Sequence, residues 1–375
     1  MNGSASWTRR VFLQSLGSSC AISSLSPFSS PSSFRQEALK LSRLRFAFVA
    51  SAQHLIHTFD LSSDGSWRLV QQTSSPSPVS LAVSPDQRFL YVANAISSFS
   101  HRPSGSIESY DIDPHTGHLS LVNQQALALS ATMPRRIAIS PNGRLVAVAV
   151  EDGATYNLLP IHQDGSIGAV TASLRPRLDA YPLTPCAQLS SAILFNRDDE
   201  FLAADTAGRM SALSIDEDLA LKINQHHDFT QHGSSLHMVA HPTADLYFVA
   251  DSHRSTLSVV SRSLQPLQEL RLSSNVGVSA LAVNPSGSTL FAATSTTISV
   301  VSIDSSGMLR VSTNVEDMPC DINVLECSSD SRHLFAMTIS GTVFRMQIGP
   351  RFNPLSSPRK LVWIPSPTAV AFRYA

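Results

Sequence analysis

Five histidines and an aspartate crowd one short stretch: His226-His227-Asp228, His232, His237 and His241. Two or three imidazoles with a carboxylate can hold zinc or a similar ion, but these spacings follow no metal-binding pattern, so no metal site is expected. His237 stands apart because it opens an apolar β-run, and a lone histidine near its ordinary pKa can act as base or hydrogen-bond donor. Arg135-Arg136 is a second candidate. Two adjacent guanidiniums suit a phosphate or carboxylate, and they equally suit a salt bridge on a rim. Asp205, Asp251 and Asp321 fall near strand ends, where Asp commonly caps turns. His237 and Asp205 are therefore the candidate catalytic residues. Arg135, Arg136 and Arg209 are the candidate substrate-binding ones.

Other chemistries find no residues to carry them. There is no Gly-rich phosphate loop, C-x-x-C pair or H-E-x-x-H. Serine is abundant, yet no G-x-S-x-G elbow is present. Without a haem or quinone motif either, no cofactor is expected. The formal net charge of −1 gives no basic field for a polyanion, so nucleic acid and anionic membranes are not expected partners.

The elements that must position these residues are short strands. A turn signal recurs between two apolar runs: Ser84-Pro85-Asp86, Ser140-Pro141-Asn142-Gly143, Asn196-Arg197-Asp198, His241-Pro242-Thr243, Asn284-Pro285-Ser286-Gly287 and Ser328-Ser329-Asp330. Their second residues are spaced by 56, 56, 45, 43 and 44, the period of a four-stranded propeller blade. His241 thus belongs to a turn column rather than to the histidine cluster. A third apolar run follows each pair, often leading to a D-x-x-x-G turn such as Asp113–Gly117. Each unit reads as an inner strand, two middle strands and an outer one.

The two ends of the chain complete each other. Arg45–Ala50 matches the second strand of a unit, with no inner strand before it. Thr368–Phe372 has the inner-strand pattern, with no unit after it. Joined, they give an all-β, seven-bladed β-propeller over residues 45–375, closed by the C-terminal strand pairing with the N-terminal blade. Closure removes the open sheet edges, and neighbouring blades bury each other's faces. A pair of β-sandwiches would not require the two ends to complement each other.

On these residues the chain resembles the lactonase-like seven-bladed propellers, the group of bacterial 6-phosphogluconolactonase and fungal muconate cycloisomerase. The likeness is sharpest in Ser84–Asn94, Gly105–Asp113, Thr116–Leu119 and Met133–Arg144. It implies a small-ligand site at the central channel and, if the family chemistry persists, hydrolysis of a sugar lactone. The family's charged positions are mostly replaced. Ser191 stands where a Pro-His opens the fourth inner strand. Ser235-Leu236-His237 stands for Pro-Arg-His, and Ser252 for a glutamate. Ser295 replaces an arginine, Pro319-Cys320 replaces Pro-Arg, and only Asp205, Gly208 and Arg209 partly keep the fourth-blade D-L-G-x-D-R pattern. Opening a lactone needs a base for water and donors for the acyl oxygen, so the resemblance implies a degenerate or rebuilt site. The alternative is a non-catalytic scaffold that binds a protein or a cell-envelope glycan. A monomer is expected in either case.

Residues 1–33 read as a leader and a Ser/Pro-rich linker. Thr8-Arg9-Arg10-Val11-Phe12-Leu13-Gln14 resembles a twin-arginine signal. The apolar stretch Val11–Leu25 is too short and too polar to span a bilayer, and Gly17 spoils a lipid-attachment pattern at Cys20. A periplasmic or extracellular location is expected. Of the later cysteines, Cys320 and Cys327 flank a predicted strand and would lie about 23 Å apart, so no disulfide is expected between them.

Overall fold

The computed structural model describes residues 44–61, 66–151, 155–176, 190–205, 208–229, 235–272, 276–295, 297–316, 318, 321–328, 330–349 and 355–374. They form twenty-eight strands in seven antiparallel four-stranded sheets. Blade 1 comprises β1 (Leu44–Ser51), β2 (Leu55–Leu61), β3 (Trp67–Ser74) and, innermost, β28 (Pro367–Tyr374). Blade 2 holds β4 (Pro78–Val83), β5 (Phe89–Asn94), β6 (Ser106–Ile112) and β7 (Leu119–Ala126). Blade 3 holds β8 (Pro134–Ile139), β9 (Leu145–Val150), β10 (Thr155–Pro160) and β11 (Ala172–Leu174). Blade 4 runs through β12 (Ser190–Arg197), β13 (Glu200–Asp205), β14 (Arg209–Ile215) and β15 (Leu221–Asp228). Blade 5 runs through β16 (Leu236–Ala240), β17 (Leu246–Asp251), β18 (Thr256–Ser261) and β19 (Pro266–Arg271). Blade 6 has β20 (Ala280–Val283), β21 (Thr289–Ala293), β22 (Ile298–Ile303) and β23 (Leu309–Val315). Blade 7 has β24 (Ile322–Cys327), β25 (His333–Thr338), β26 (Thr342–Gln347) and β27 (Arg359–Trp363). The leader, Cys186, His232, Pro319 and Cys320 lie outside the described residues; Cys327 is a buried free thiol.

The recurring turn signal owes its form to a side-chain acceptor. Ser84 Oγ accepts the Phe89 amide at 2.9 Å, and Ser140 Oγ, Asn284 Oδ1 and Ser328 Oγ do the same five residues on. His241 fills the column with imidazole. Its Nδ1 accepts the amides of Thr243 and Ala244, and its Nε2 faces the Gly287 carbonyl at 3.1 Å. That pattern requires a neutral ring protonated at Nε2.

The core is seven seams rather than one centre, each shared by two successive blades. Tyr91 and Val148 meet between blades 2 and 3, Phe248 and Leu290 between blades 5 and 6, and Phe291 and Leu334 between blades 6 and 7. The remaining apolar clusters join blades 1 and 2, 3 and 4, and 4 and 5 in the same way. The seventh joins blade 7 to blade 1 through Phe335, Phe372, Phe59 and Trp67, and Trp67 meets the Phe372 ring edge-on at 5.9 Å. Turn glycines strengthen the seams. Gly165 adopts φ +81 and lies flat on the Phe89 ring of the preceding blade, where a Cβ would collide. Gly117 does the same against Phe46.

Ring closure is an antiparallel pairing of β28 with β1, including Phe48↔Ala371, Val49↔Val370 and Ala50↔Ala369. Truncating Phe372 to alanine empties the closing seam and is expected to cost about 3 kcal/mol, read as a lower denaturation midpoint at unchanged slope. Gly165→Ala, which meets both a left-handed φ and the Phe89 ring, is expected to cost about 2 kcal/mol or more in the same assay.

Candidate functional site

The seven inner strands β28, β4, β8, β12, β16, β20 and β24 surround the hub of the ring, and their register sorts the residues that line it into layers. At the mouth, where the inner strands begin, the residue opposite each second-strand Ala93 equivalent is Ala369, Ser80, Arg136, Ala192, His237, Ala280 or Val324. Two residues deeper the matching positions are Ala371, Ala82, Ala138, Leu194, Val239, Ala282 and Glu326. At these two levels the inner strands carry small or apolar side chains, with Arg136, His237 and Glu326 as the ionisable ones.

Arg136 and His237 occupy equivalent mouth positions on blades 3 and 5. Arg136 donates from its guanidinium to the Arg135 carbonyl at 3.0 Å, and it stays a cation although the desolvation of its head and then the charge of Arg135 lower its pKa. His237 is half-buried. Burial, followed by the positive charge of Arg136, pushes its pKa down to about 4. A neutral imidazole and a cation therefore stand at equivalent positions of two inner strands.

The other candidates are placed elsewhere. Arg135 pairs with Glu151 on the rim of blade 3. Arg209 lies two strands outward from the inner strand of blade 4, its Nε 2.6 Å and its Nη2 3.3 Å from the two carboxylate oxygens of Asp228. Asp205 shares the mouth end with His237, and its Oδ1 accepts the Arg209 amide at 2.9 Å as a turn cap. Asp251 caps the equivalent turn of blade 5 through the His253 and Arg254 amides. Asp321 is exposed and has φ 61.

The histidine-rich stretch is dispersed by the fold. His226, His227 and Asp228 lie on β15 at the outside of blade 4, and His227 packs edge-on against Phe229 at 4.7 Å. A cleft of about 280 Å³ between blades 4 and 5 takes in His227, Asp228, Asp251 and Arg254. Among the described residues no three His, Cys, Asp or Glu side chains come together as a metal ligand set.

Glu326 was missed at the level of sequence because it reads as one polar residue inside a strand between two cysteines. Its register partner on β25 is Phe335, which places it on the face of blade 7 that meets blade 1. Burial lifts its pKa to about 7, and its charge in turn raises those of Cys327 and Tyr374.

Fold and layout define a seven-bladed propeller. Residues 47–316 match the family model described as lactonase, 7-bladed beta-propeller; the chain belongs to that family. A 6-phosphogluconolactonase of Klebsiella pneumoniae is 26% identical over 217 residues, which cover 54% of this chain and 57% of that protein. A second, from another strain of that species, is 32% identical over 114 residues, 30% of this chain and 31% of the relative. The chain thus matches 57% of the length of the first of these relatives and 31% of the second. The periplasmic gluconolactonase of Pseudomonas aeruginosa superposes with a TM-score of 0.76 at 19% identity, covering 88% of this chain and 99% of that one; at that identity the likeness speaks for the fold. Among the described residues no helix is long and apolar enough to cross a membrane.

Because Arg136 disfavours the imidazolium, Arg136→Ala is expected to raise the pKa of His237 toward its ordinary 6.5. The His237 ring resonances followed by NMR against pH check this. An unchanged midpoint would show that the two groups do not share a cavity.

Proposed function

We propose that this chain is an exported lactonase-type propeller that takes a small anionic ligand, a sugar lactone or sugar acid, at the mouth of its central channel, and opens the lactone with a rebuilt site. The observation that carries this reading is the register that sets Arg136 and His237 at equivalent mouth positions of inner strands two blades apart. Arg136 binds the anionic group by charge-assisted hydrogen bonds. His237, neutral at pH 7, hydrogen-bonds the ligand without the cost of two adjacent cations. Arg135 and Arg209, committed to Glu151 and Asp228, frame the rim, and Asp205 holds the edge of blade 4 beside them. The family membership and the 6-phosphogluconolactonase relatives support a lactone as the substrate class. The twin-arginine pattern at Arg9-Arg10, and a periplasmic structural neighbour, support export to the periplasm or beyond.

A second reading, a non-catalytic scaffold, draws support from Trp363, Leu69 and Leu121, which are 57%, 47% and 53% exposed on the outer strands of three successive blades. One assay separates the two. With 6-phosphogluconolactone and gluconolactone side by side, the lactonase reading expects turnover, with the phosphorylated substrate preferred. Arg136→Ala should then raise KM for the phosphorylated lactone about tenfold or more and leave the plain lactone nearly unaffected. His237→Ala should lower kcat/KM for both. Absence of turnover on either lactone would favour the scaffold.

A further inference from the structure

The turn that follows each inner strand also fixes the place of a charge. The fifth residue of the turn column is Arg88, Arg144, Glu200, Asp245, Ser288 and Arg332 in blades 2 to 7, and Arg45 holds the matching place in blade 1, just before Phe46 as Arg88 is just before Phe89. These residues ring the face of the propeller opposite the hub mouth, because each inner strand begins at the mouth and ends at its turn. Most of the charges are answered within the chain. Arg262 reaches both acids, 3.7 Å from Glu200 and 4.0 Å from Asp245. Arg332 stands 4.0 Å from Asp330, and Arg45 donates to the His115 carbonyl at 2.8 Å. Arg88 and Arg144 are exposed, and among the described residues neither has a carboxylate partner.

Both unanswered arginines line one groove. It lies between blades 2 and 3, has a volume of about 890 Å³, and takes in Arg88, Arg144, Phe89, Ile161 and His162. That is the size of cavity that accepts an organic ligand rather than a bare ion. The Arg88 guanidinium lies over the Phe89 ring, 5.0 Å from its centroid, a contact that holds the cation in place. The Arg144 main chain is tied on both sides, its amide donating to Asn142 Oδ1 at 2.9 Å and its carbonyl accepting the Ile161 amide at 2.7 Å. Asp86 is the one acidic residue among the described lining, and its Oδ1 already accepts the Ser84 hydroxyl at 2.5 Å and the Arg88 amide at 3.2 Å. Two guanidiniums on one concave surface focus positive potential into it, and each presents a fork of donors that matches a phosphate or a carboxylate. We propose that this groove is a second binding site, separate from the hub mouth, for an organic dianion: two phosphate or carboxylate groups, one on each arginine, joined by a body that lies over Phe89 and Ile161. The site stands whether or not the hub opens lactones.

Calorimetric titration of the full chain with inorganic pyrophosphate and, separately, with succinate tests this, the two probes telling phosphate from carboxylate. At least one of them should bind about tenfold or more tightly than its single-group counterpart, inorganic phosphate or acetate, because the second group binds at a high effective concentration. Arg88→Gln and Arg144→Gln are each expected to weaken the better probe by about tenfold or more. Arg136→Ala at the hub mouth, and Arg310→Ala, which removes one positive charge from blade 6, should leave its affinity within about twofold of wild type. Both glutamine variants should melt close to wild type, since each changes an exposed side chain without an ion pair, so that a lost titration reports the site and not the fold. If neither probe binds at millimolar concentration, or if Arg310→Ala weakens binding as much as the groove variants do, the groove is not a site. Binding that is lost in Arg136→Ala and kept in both groove variants would put the dianion at the hub mouth, overturning the second site and leaving the lactonase reading in place.

Discussion

The pairing of β28 with β1 is the contact on which the molecule depends. Every blade is apolar on both faces, so a linear array of seven would leave two faces and two edges uncovered. Closing the array with the C-terminal strand removes all four at once. The strand is tied on both sides. Ser51 Oγ donates to the Pro365 carbonyl at 2.6 Å, and the Ala52 amide to the Ser366 carbonyl at 2.9 Å. Toward blade 2, Thr368 Oγ1 donates to the Pro78 carbonyl, Arg373 Nε to the Gln87 carbonyl, and the Tyr374 amide to Gln87 Oε1. These bonds span nearly the length of the chain. They fix the hub as well as the rim, because β28 is itself one of its seven walls.

Much of this architecture could be read before any coordinates because the turn column carries its own chemistry. A Ser, Asn or His at its first position works through one acceptor atom, so the signal survives changes of residue type, and His241 is legible as a member of it. The complementary ends were legible for the same reason, since a missing inner strand and a surplus one are counted rather than inferred. What escaped was anything set by register across strands. Asp205 and Asp251 could be read as caps, because capping is local. The Arg209 to Asp228 pair could not, since it joins residues nineteen apart through the alignment of β14 and β15. Glu326 escaped for the same reason. It pairs with Phe335 and so lies on the face of blade 7 that meets blade 1, a relation that no spacing along one strand reveals.

The hub can vary without disturbing the wheel, and the register shows why. Behind the mouth layer, the paired second-strand residue is alanine in six blades, from Ala50 and Ala93 round to Ala293, with Met337 in the seventh. An alanine there leaves the volume beside the inner strand unclaimed, so positions 136 and 237 can carry arginine and histidine where positions 192 and 280 carry alanine. The intervening inner-strand residues have no such freedom. Ile137 and Leu281 are 7% and 8% exposed and belong to the seams, where a change of volume is felt directly. Leu236 shows the boundary between the two regimes. It stands where the family pattern has an arginine, and it is 1% exposed, packed with Met210 and Val249 between blades 4 and 5. A charge at that position would have to leave the seam to be tolerated, whereas a leucine adds to it. An apolar residue at this position therefore strengthens the fold. Such a hub is free to vary at the inner-strand positions that back onto an alanine of the second strand, as positions 136 and 237 do.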